Sequence, residues 1–250
     1  MYLSNFDQSE MGETMEKYQI KIADISAVVY GQSSDRVYLF VHGQGGNKEE
    51  AQSFAEIVAE KGWQVLGIDL PEHGERKAAT ELLVPWVVLP ELQTVWQYLE
   101  THWQRIALRA NSIGAWFSML AFQERPLERS LFVSPILDME GLIKNMMQWA
   151  GVTAERLAAE KTIQTTFGQT LSWEYFVYAQ QHPITQWHDG TKILYGSEDN
   201  LTERGTVDAF ANRFECDLKV MDHGEHWFHT EAQLAVLREW EQQNCLPNAI

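Results

Sequence analysis

Three polar residues, in the order serine, acid, histidine, stand where strand-like apolar runs give way to loop or helix: Ser112, Asp199 and His226. A serine hydroxyl is a poor nucleophile near neutral pH and needs a base within hydrogen-bond reach. An imidazole can take that proton and hand it to a leaving group, because its pKa lies near the working pH. A carboxylate on the other ring nitrogen fixes the tautomer and steadies the imidazolium. Together the three residue types suit acyl transfer through a covalent serine intermediate.

Ser112 sits between a β-type run, Ile106–Asn111, and an apolar run with small residues, Ile113–Phe122, with no linker between them. A strand that turns at once into a helix leaves one residue at the apex of a tight turn. Ala110 and Gly114, two before and two after, are small enough for the backbones to pass, so the segment reads A-x-S-x-G. That is one methyl away from the G-x-S-x-G turn that exposes a nucleophile. Ile113 would offer a backbone N–H at the start of the helix. The competing role for Ser112 is a plain helix N-cap.

Asp199 follows a glycine-opened stretch, Gly196-Ser197-Glu198, and precedes a helix. Helix N-capping with Thr202 is its structural alternative, and the adjacent Glu198 could substitute for it. His226 lies in Asp222-His223-Gly224-Glu225-His226-Trp227-Phe228-His229, after the last strand-like run. Three histidines at that spacing also raise the alternative of a metal site. One short loop rarely turns three imidazoles onto one ion, and further ligand types are missing. His223 and His229 therefore read as surface residues, and no metal is expected.

The elements that must position these residues follow an alternating rhythm. Tyr18–Ile25 reads as a strand, Ala27–Tyr30 as its short partner and Gly31–Asp35 as a turn. Arg36–Val41 is a buried strand ended by His42-Gly43-Gln44-Gly45-Gly46, and Asn47 suits the N-cap of a helix over Lys48–Lys61. Trp63–Leu70 is the next strand, and the loop Pro71–Lys77 leads into a helical stretch between Trp86 and Trp103. Ser130–Ser134 is a strand ended by Pro135. From Asp138 to about Pro183 the chain reads as helices only: Met139–Trp149, Thr153–Thr166 and Leu171–Gln181. The rhythm resumes with strand Lys192–Tyr195, helix Glu203–Phe214, strand Asp217–Met221 and helix Glu231–Gln242.

Strands alternating with helices predict an α/β fold, a mostly parallel sheet covered by helices on both faces. The domain expectation is an N-terminal arm over 1–17, a core over 18–137 and 184–250, and a helical cap over 138–183. Ligands of such sheets bind beyond the carboxyl ends of the strands. Those ends carry the His42–Gly46 loop, Asp69, Ser112, Asp199 and the Asp222–His229 cluster.

The bulk properties narrow the partners. With 19 Lys and Arg against 35 Asp and Glu, the net charge of −16 repels nucleic acid and anionic membranes. The two cysteines, Cys216 and Cys245, do not form a C-x-x-C pair, which argues against a disulfide framework. No signal-like apolar core opens the chain, and no run approaches the ~20 apolar residues of a membrane span. A cytoplasmic protein acting on a small molecule is the expectation; oligomeric state is open.

These residues resemble the α/β-hydrolase superfamily of serine hydrolases. The likeness covers residues 18–245 and rests on H-G-x-G-G after the third strand, the A-x-S-x-G turn, then G-x-x-D and a late histidine. It implies Ser112 as nucleophile, Asp199 as acid and His226 as base, with an oxyanion hole from the N–H groups of Gln44 and Ile113. Gly224-Glu225-His226-Trp227-Phe228 matches the family's histidine loop apart from Glu225, which favours His226 over His223. His42 would hold its loop by hydrogen bonding, and His73, in a D-x-P-x-x-G-like turn, would be structural. Arg109, in a strand expected to be buried, departs from the pattern and needs an acidic partner. Cap aromatics (Trp149, Phe167, Trp173, Tyr175, Phe176, Tyr178) would line an acyl pocket or pack the cap on the core.

The expected activity is cleavage of a carboxylic ester or related acyl bond, with no metal or organic cofactor. A serine peptidase or amidase for short peptides is the alternative enzyme. A binding protein that retains the fold is the alternative outside catalysis.

Overall fold

The computed structural model describes residues 15–78 and 82–246. Most of the expected 1–17 arm lies outside the described residues, and the first strand begins at its last position. That strand, β1 (Lys17–Ile22), forms an antiparallel hairpin with β2 (Ile25–Tyr30). The expected strand over Tyr18–Ile25 therefore ran too far. Ile22 and Ile25 flank a two-residue turn in which Ala23 takes φ +51, so an apparently unbroken apolar pattern hides a reversal.

The chain then alternates. It runs through β3 (Arg36–Val41), α1 (Ala51–Val58), β4 (Gln64–Ile68), α2 (Pro85–His102), β5 (Arg105–Asn111), α3 (Ser112–Phe122) and β6 (Ser130–Val133). After an insertion it resumes with β9 (Lys192–Gly196), α7 (Arg204–Arg213), β10 (Asp217–Met221) and α8 (Glu231–Asn244). The eight-stranded sheet has the order β1-β2-β4-β3-β5-β6-β9-β10, and every pairing from β4 to β10 is parallel.

Period-two alternation sorts side chains between the two faces. Val37, Leu39 and Val41 of β3 join the core built with α2 and α3, while Tyr38 and Phe40 join the one built with α1 and α8. Burying each such side chain contributes about 1.5–3 kcal/mol, so both faces hold the sheet. In β5, Ile106, Leu108 and Ala110 face α2 and α3. Ala107 faces the other core, and alternation puts Arg109 on that same side.

The insertion between β6 and β9 is not all helix. It contains α4 (Met139–Trp149), α5 (Ala154–Glu160), a hairpin of β7 (Thr162–Gln164) and β8 (Thr170–Ser172), and α6 (Trp173–Gln181). The expected helix Thr153–Thr166 stops early because Lys161 takes φ +68, and the β-branched Thr162, Ile163 and Thr165 follow. Gly168, at φ +86, turns the hairpin, and Ser172 caps α6 by accepting the Tyr175 N–H at 3.2 Å. Tyr175 stacks on Trp116 of α3 at 5.9 Å and so ties the insertion to the core. Among the described residues no helix is long and apolar enough to cross a membrane.

Candidate active site

Parallel pairing in register brings the carboxyl ends of β3, β5, β6, β9 and β10 to one edge. Val41 pairs with Ala110, Asn111 with Val133, Val133 with Leu194, and Gly196 with Met221. The residues that follow these strands include Ser112, Asp199 and His226, which come from distant parts of the chain.

Ser112 is the first residue of α3 and holds a left-handed φ of +49, a conformation that costs a non-glycine residue about 1–3 kcal/mol. Its surroundings impose that turn. A Cβ on Gly114 would run into the carbonyl oxygens of Val41 and His42, and one on Gly43 would lie 3.0 Å from the Ser112 Cβ. Ala110 fits the remaining crossing without exposure. The Ser112 carbonyl accepts the Ile136 N–H at 3.1 Å, which anchors the turn from the β6 side.

The hydroxyl does not cap its own helix. Ser112 Oγ lies 2.8 Å from His226 Nε2, and His226 Nδ1 lies 2.7 Å from Asp199 Oδ2. A carboxylate only accepts, so Nδ1 carries the proton and Nε2 presents its lone pair to the serine hydroxyl. The Asp199 side chain is wholly buried and His226 is 14% exposed.

Asp199 does not cap α7, whose N-cap is Glu203 with no side-chain cap bond; its two oxygens serve its own loop and the imidazole separately. Oδ1 accepts the N–H groups of Leu201 at 2.8 Å and Thr202 at 3.0 Å, while Oδ2 meets the imidazole. The loop bonds fix the carboxylate plane before the histidine arrives. Two backbone bonds, Ser197 N–H to the Met221 carbonyl (2.9 Å) and Glu198 N–H to the Gly224 carbonyl (2.8 Å), tie the acid loop to the histidine loop. They need close approach, since a Cβ on Gly196 would collide with the Gly224 and Glu225 carbonyls.

Glu198 does not meet His226. It pairs with the exposed His223 at 2.7 Å. That bond, together with the charge of Asp222, holds the His223 imidazole above its ordinary range. His229 Nδ1 goes to the Trp227 carbonyl at 2.9 Å. The three histidines of this loop thus have three separate sets of partners, and among the described residues no group of three His, Cys, Asp or Glu side chains gathers as a metal site.

Gln44 and Ile113, the expected oxyanion donors, both adjoin Ser112: Ile113 follows it in the first turn of α3, where N–H groups have no intrahelical acceptor. Gln44 follows Gly43, whose backbone passes the serine Cβ. Buried His42 and His73 lie under this loop with ring centroids 5.1 Å apart. Burial pushes the His42 imidazole down to about 4, against the pull of the Gly43 carbonyl that it bonds at 2.7 Å.

The acidic partner that Arg109 requires is Glu241 of α8. Arg109 Nε and Nη2 both lie 2.9 Å from Glu241 Oε1, and Nη1 bonds the Ala110 carbonyl and the Asn111 side chain. The Arg109 cation also stands 5.5 Å above the Phe40 ring. Sequence alone did not identify Glu241. The available signal is its place one helical turn after Leu237 and next to the buried Trp240, on the apolar side of α8.

Compared by sequence, the chain matches no protein-family model and no curated protein. Compared by structure, it is similar to Est1E from Butyrivibrio proteoclasticus, solved with ferulic acid bound. That match has 18% identity and a TM-score of 0.71, covering 90% of this chain and 96% of the other. It is also similar to an α/β serine hydrolase homologue from Coxiella burnetii, with 18% identity and a TM-score of 0.61 over 91% and 96% of the two chains. The thioesterase domain from the curacin biosynthetic pathway matches at 17% identity and a TM-score of 0.58, over 91% and 99%.

Proposed function

We propose that this chain, which has the α/β-hydrolase fold, is a serine hydrolase that cleaves a carboxylic ester or related acyl bond of a small molecule. The observation that carries the reading is the unbroken hydrogen-bond chain from Ser112 Oγ through His226 to the buried Asp199. The similarity to a thioesterase domain and a serine hydrolase homologue supports the same reaction class.

In this reading His226 Nε2 takes the hydroxyl proton as Ser112 Oγ attacks the acyl carbon. Asp199 steadies the imidazolium across the 2.7 Å contact. Negative charge moves onto the acyl oxygen, and the N–H groups of Gln44 and Ile113 receive it. Collapse breaks the bond to the leaving group, which departs with the proton from His226. A water, deprotonated by the same imidazole, then releases the acid and restores Ser112. His226 accounts for every proton: it passes the first from Ser112 to the leaving group and the second from water to Ser112 Oγ as the acyl bond breaks, while the backbone donors keep theirs. The net charge of −16 suits a neutral or cationic substrate better than a polyanion.

A fluorophosphonate tests the reading directly. It is expected to phosphonylate the native protein on the peptide containing Ser112 and to leave heat-denatured protein unmarked. Peptide mass spectrometry locates the adduct, and a series of p-nitrophenyl esters then ranks acyl chain lengths. An unmodified Ser112, or an adduct on a different residue, would overturn the assignment.

A further inference from the structure

The loop that carries Gln44 is held from both sides, and the second hold comes from outside it. A trans peptide points its C=O and N–H in opposite directions. Whatever fixes the Gly43 carbonyl therefore aims the Gln44 N–H the other way. That carbonyl accepts His42 Nδ1–H at 2.7 Å and the Gly46 N–H at 3.1 Å. On the far side of Gln44, the Gly45 N–H donates to His73 Nε2 at 2.8 Å. Both peptide planes flanking Gln44 are thereby pinned.

The histidine roles follow from the chemistry of their partners. A carbonyl only accepts and a backbone N–H only donates. His73 Nδ1 lies 2.7 Å from the Pro71 carbonyl and so carries the proton, which leaves Nε2 as acceptor. His42 has the same tautomer, with Nε2 accepting the Leu70 N–H at 3.1 Å. The two rings are exchanged between loops. His42, after β3, holds the loop after β4, and His73, after β4, holds the loop after β3.

We infer that His73 is a positioning residue for the reaction at Ser112: His42 and Gly46 hold the peptide that carries the Gln44 N–H, and His73, through Nε2, locks the next peptide, so that rotation about the Gln44 backbone cannot swing that oxyanion donor out of place. The inference rests on the serine-hydrolase reading above. Gly45 explains why an external hold is needed. It is exposed, takes φ +80, and a Cβ there would meet nothing within 4 Å, so its neighbours do not confine it sterically.

Two substitutions separate this role from simple support of the Pro71–Gly74 turn. In His73→Asn the amide NH₂ can still donate to the Pro71 carbonyl but falls short of Gly45. In His73→Gln the longer side chain can bring its oxygen to the Gly45 N–H and gives up the Pro71 bond. The measurements are kcat and KM for a p-nitrophenyl ester, and inhibition by a trifluoromethyl ketone, whose hemiketal with the serine carries an oxyanion that uses the same donors. Losing an oxyanion donor outright costs about 10²–10³ in kcat. Loosening one through His73→Asn is expected to lower kcat roughly ten- to a hundredfold, at unchanged KM, and to weaken the ketone by the same factor. His73→Gln is expected to recover most of both. The reverse ranking, or a folded His73→Asn with wild-type kcat and ketone affinity, would overturn the positioning role while leaving the hydrolase reading intact. If His73→Asn does not fold and His73→Gln does, the bond to Gly45 outweighs the hold on the turn in folding as well, and ketone affinity of His73→Gln then decides: near wild type it supports the inference, and lost it overturns it. A wild type that neither hydrolyses the ester nor takes the fluorophosphonate overturns both.

Discussion

Ser112→Ala and His226→Ala, made separately, are each expected to lower turnover of a p-nitrophenyl ester by about 10⁶-fold, with the double variant scarcely worse than either. The non-additivity follows from the geometry. Ser112 Oγ and His226 Nε2 are 2.8 Å apart and act as one unit, so either loss removes the covalent route. What survives is the contribution of binding and the backbone donors. Asp199→Asn is expected to cost about 10⁴-fold, because an amide NH₂ facing Nδ1 reverses the tautomer and turns an N–H toward the serine. His223→Ala tests the register of the loop. His223 is exposed and bonded to Glu198, away from the serine, so its variant should turn over at close to the wild-type rate. Steady-state kinetics on purified variants read all five. A dead His223→Ala beside an active His226→Ala would transfer the base to His223.

Arg109→Met is expected to destabilise the fold by about 3–5 kcal/mol, the cost of leaving a buried ion without its partner. For a chain of this size that lowers the melting temperature by roughly 6–20 °C. The abandoned partner is Glu241, only 4% exposed, whose other stabilising contacts cannot replace a guanidinium. Burial already holds the Glu241 carboxyl above its ordinary range, with Arg109 pulling it back down. Without Arg109 the raising effect acts unopposed by that cation. A carboxyl with a raised folded-state pKa favours the fold when protonated, and that benefit is lost as pH rises through the folded pKa. The melting deficit of Arg109→Met should therefore be smaller at pH 5 than at pH 8. Replacing both partners, Arg109→Met with Glu241→Leu, should restore most of the loss, because no buried charge remains. Thermal melts of the wild type and the two variants at the two pH values check the set.

Much of the sheet could be read in advance, because its buried strands are short, β-branched and bounded by glycine, proline or loop residues. Arg36–Val41 is one such run, and it has the bounds the sequence suggested. The hairpin over Thr162–Ser172 was not legible. Its strands are three residues long and follow a good helix former, Ala158-Ala159-Glu160, so only the left-handed Lys161 separates helix from strand. The Ser112, Asp199 and His226 assemblage was visible because a parallel sheet collects its strand ends at one edge. Its supports were less so. Arg109 plainly needed an acid, yet Glu241 lies 132 residues away on a different layer. His73 looked like part of a turn, and its bond to Gly45 depends on how two loops cross, which local pattern does not encode.

Four of the seven non-glycine residues that hold positive φ among the described residues lie beyond the strand ends where the chemistry is proposed. Glu72, Ser112, Ser134 and His223 all hold positive φ without being glycine, and they follow β4, β5, β6 and β10. Heat tolerance and turnover therefore pull residue 112 in opposite directions. Glycine there would relieve about 1–3 kcal/mol of strain, more than the roughly 0.5–1 kcal/mol of chain entropy it costs. A laboratory library of this protein, propagated only for resistance to heating, would drift toward Ser112→Gly and yield a sturdier fold with no nucleophile. Enriching such a library usefully requires that every round also demand product.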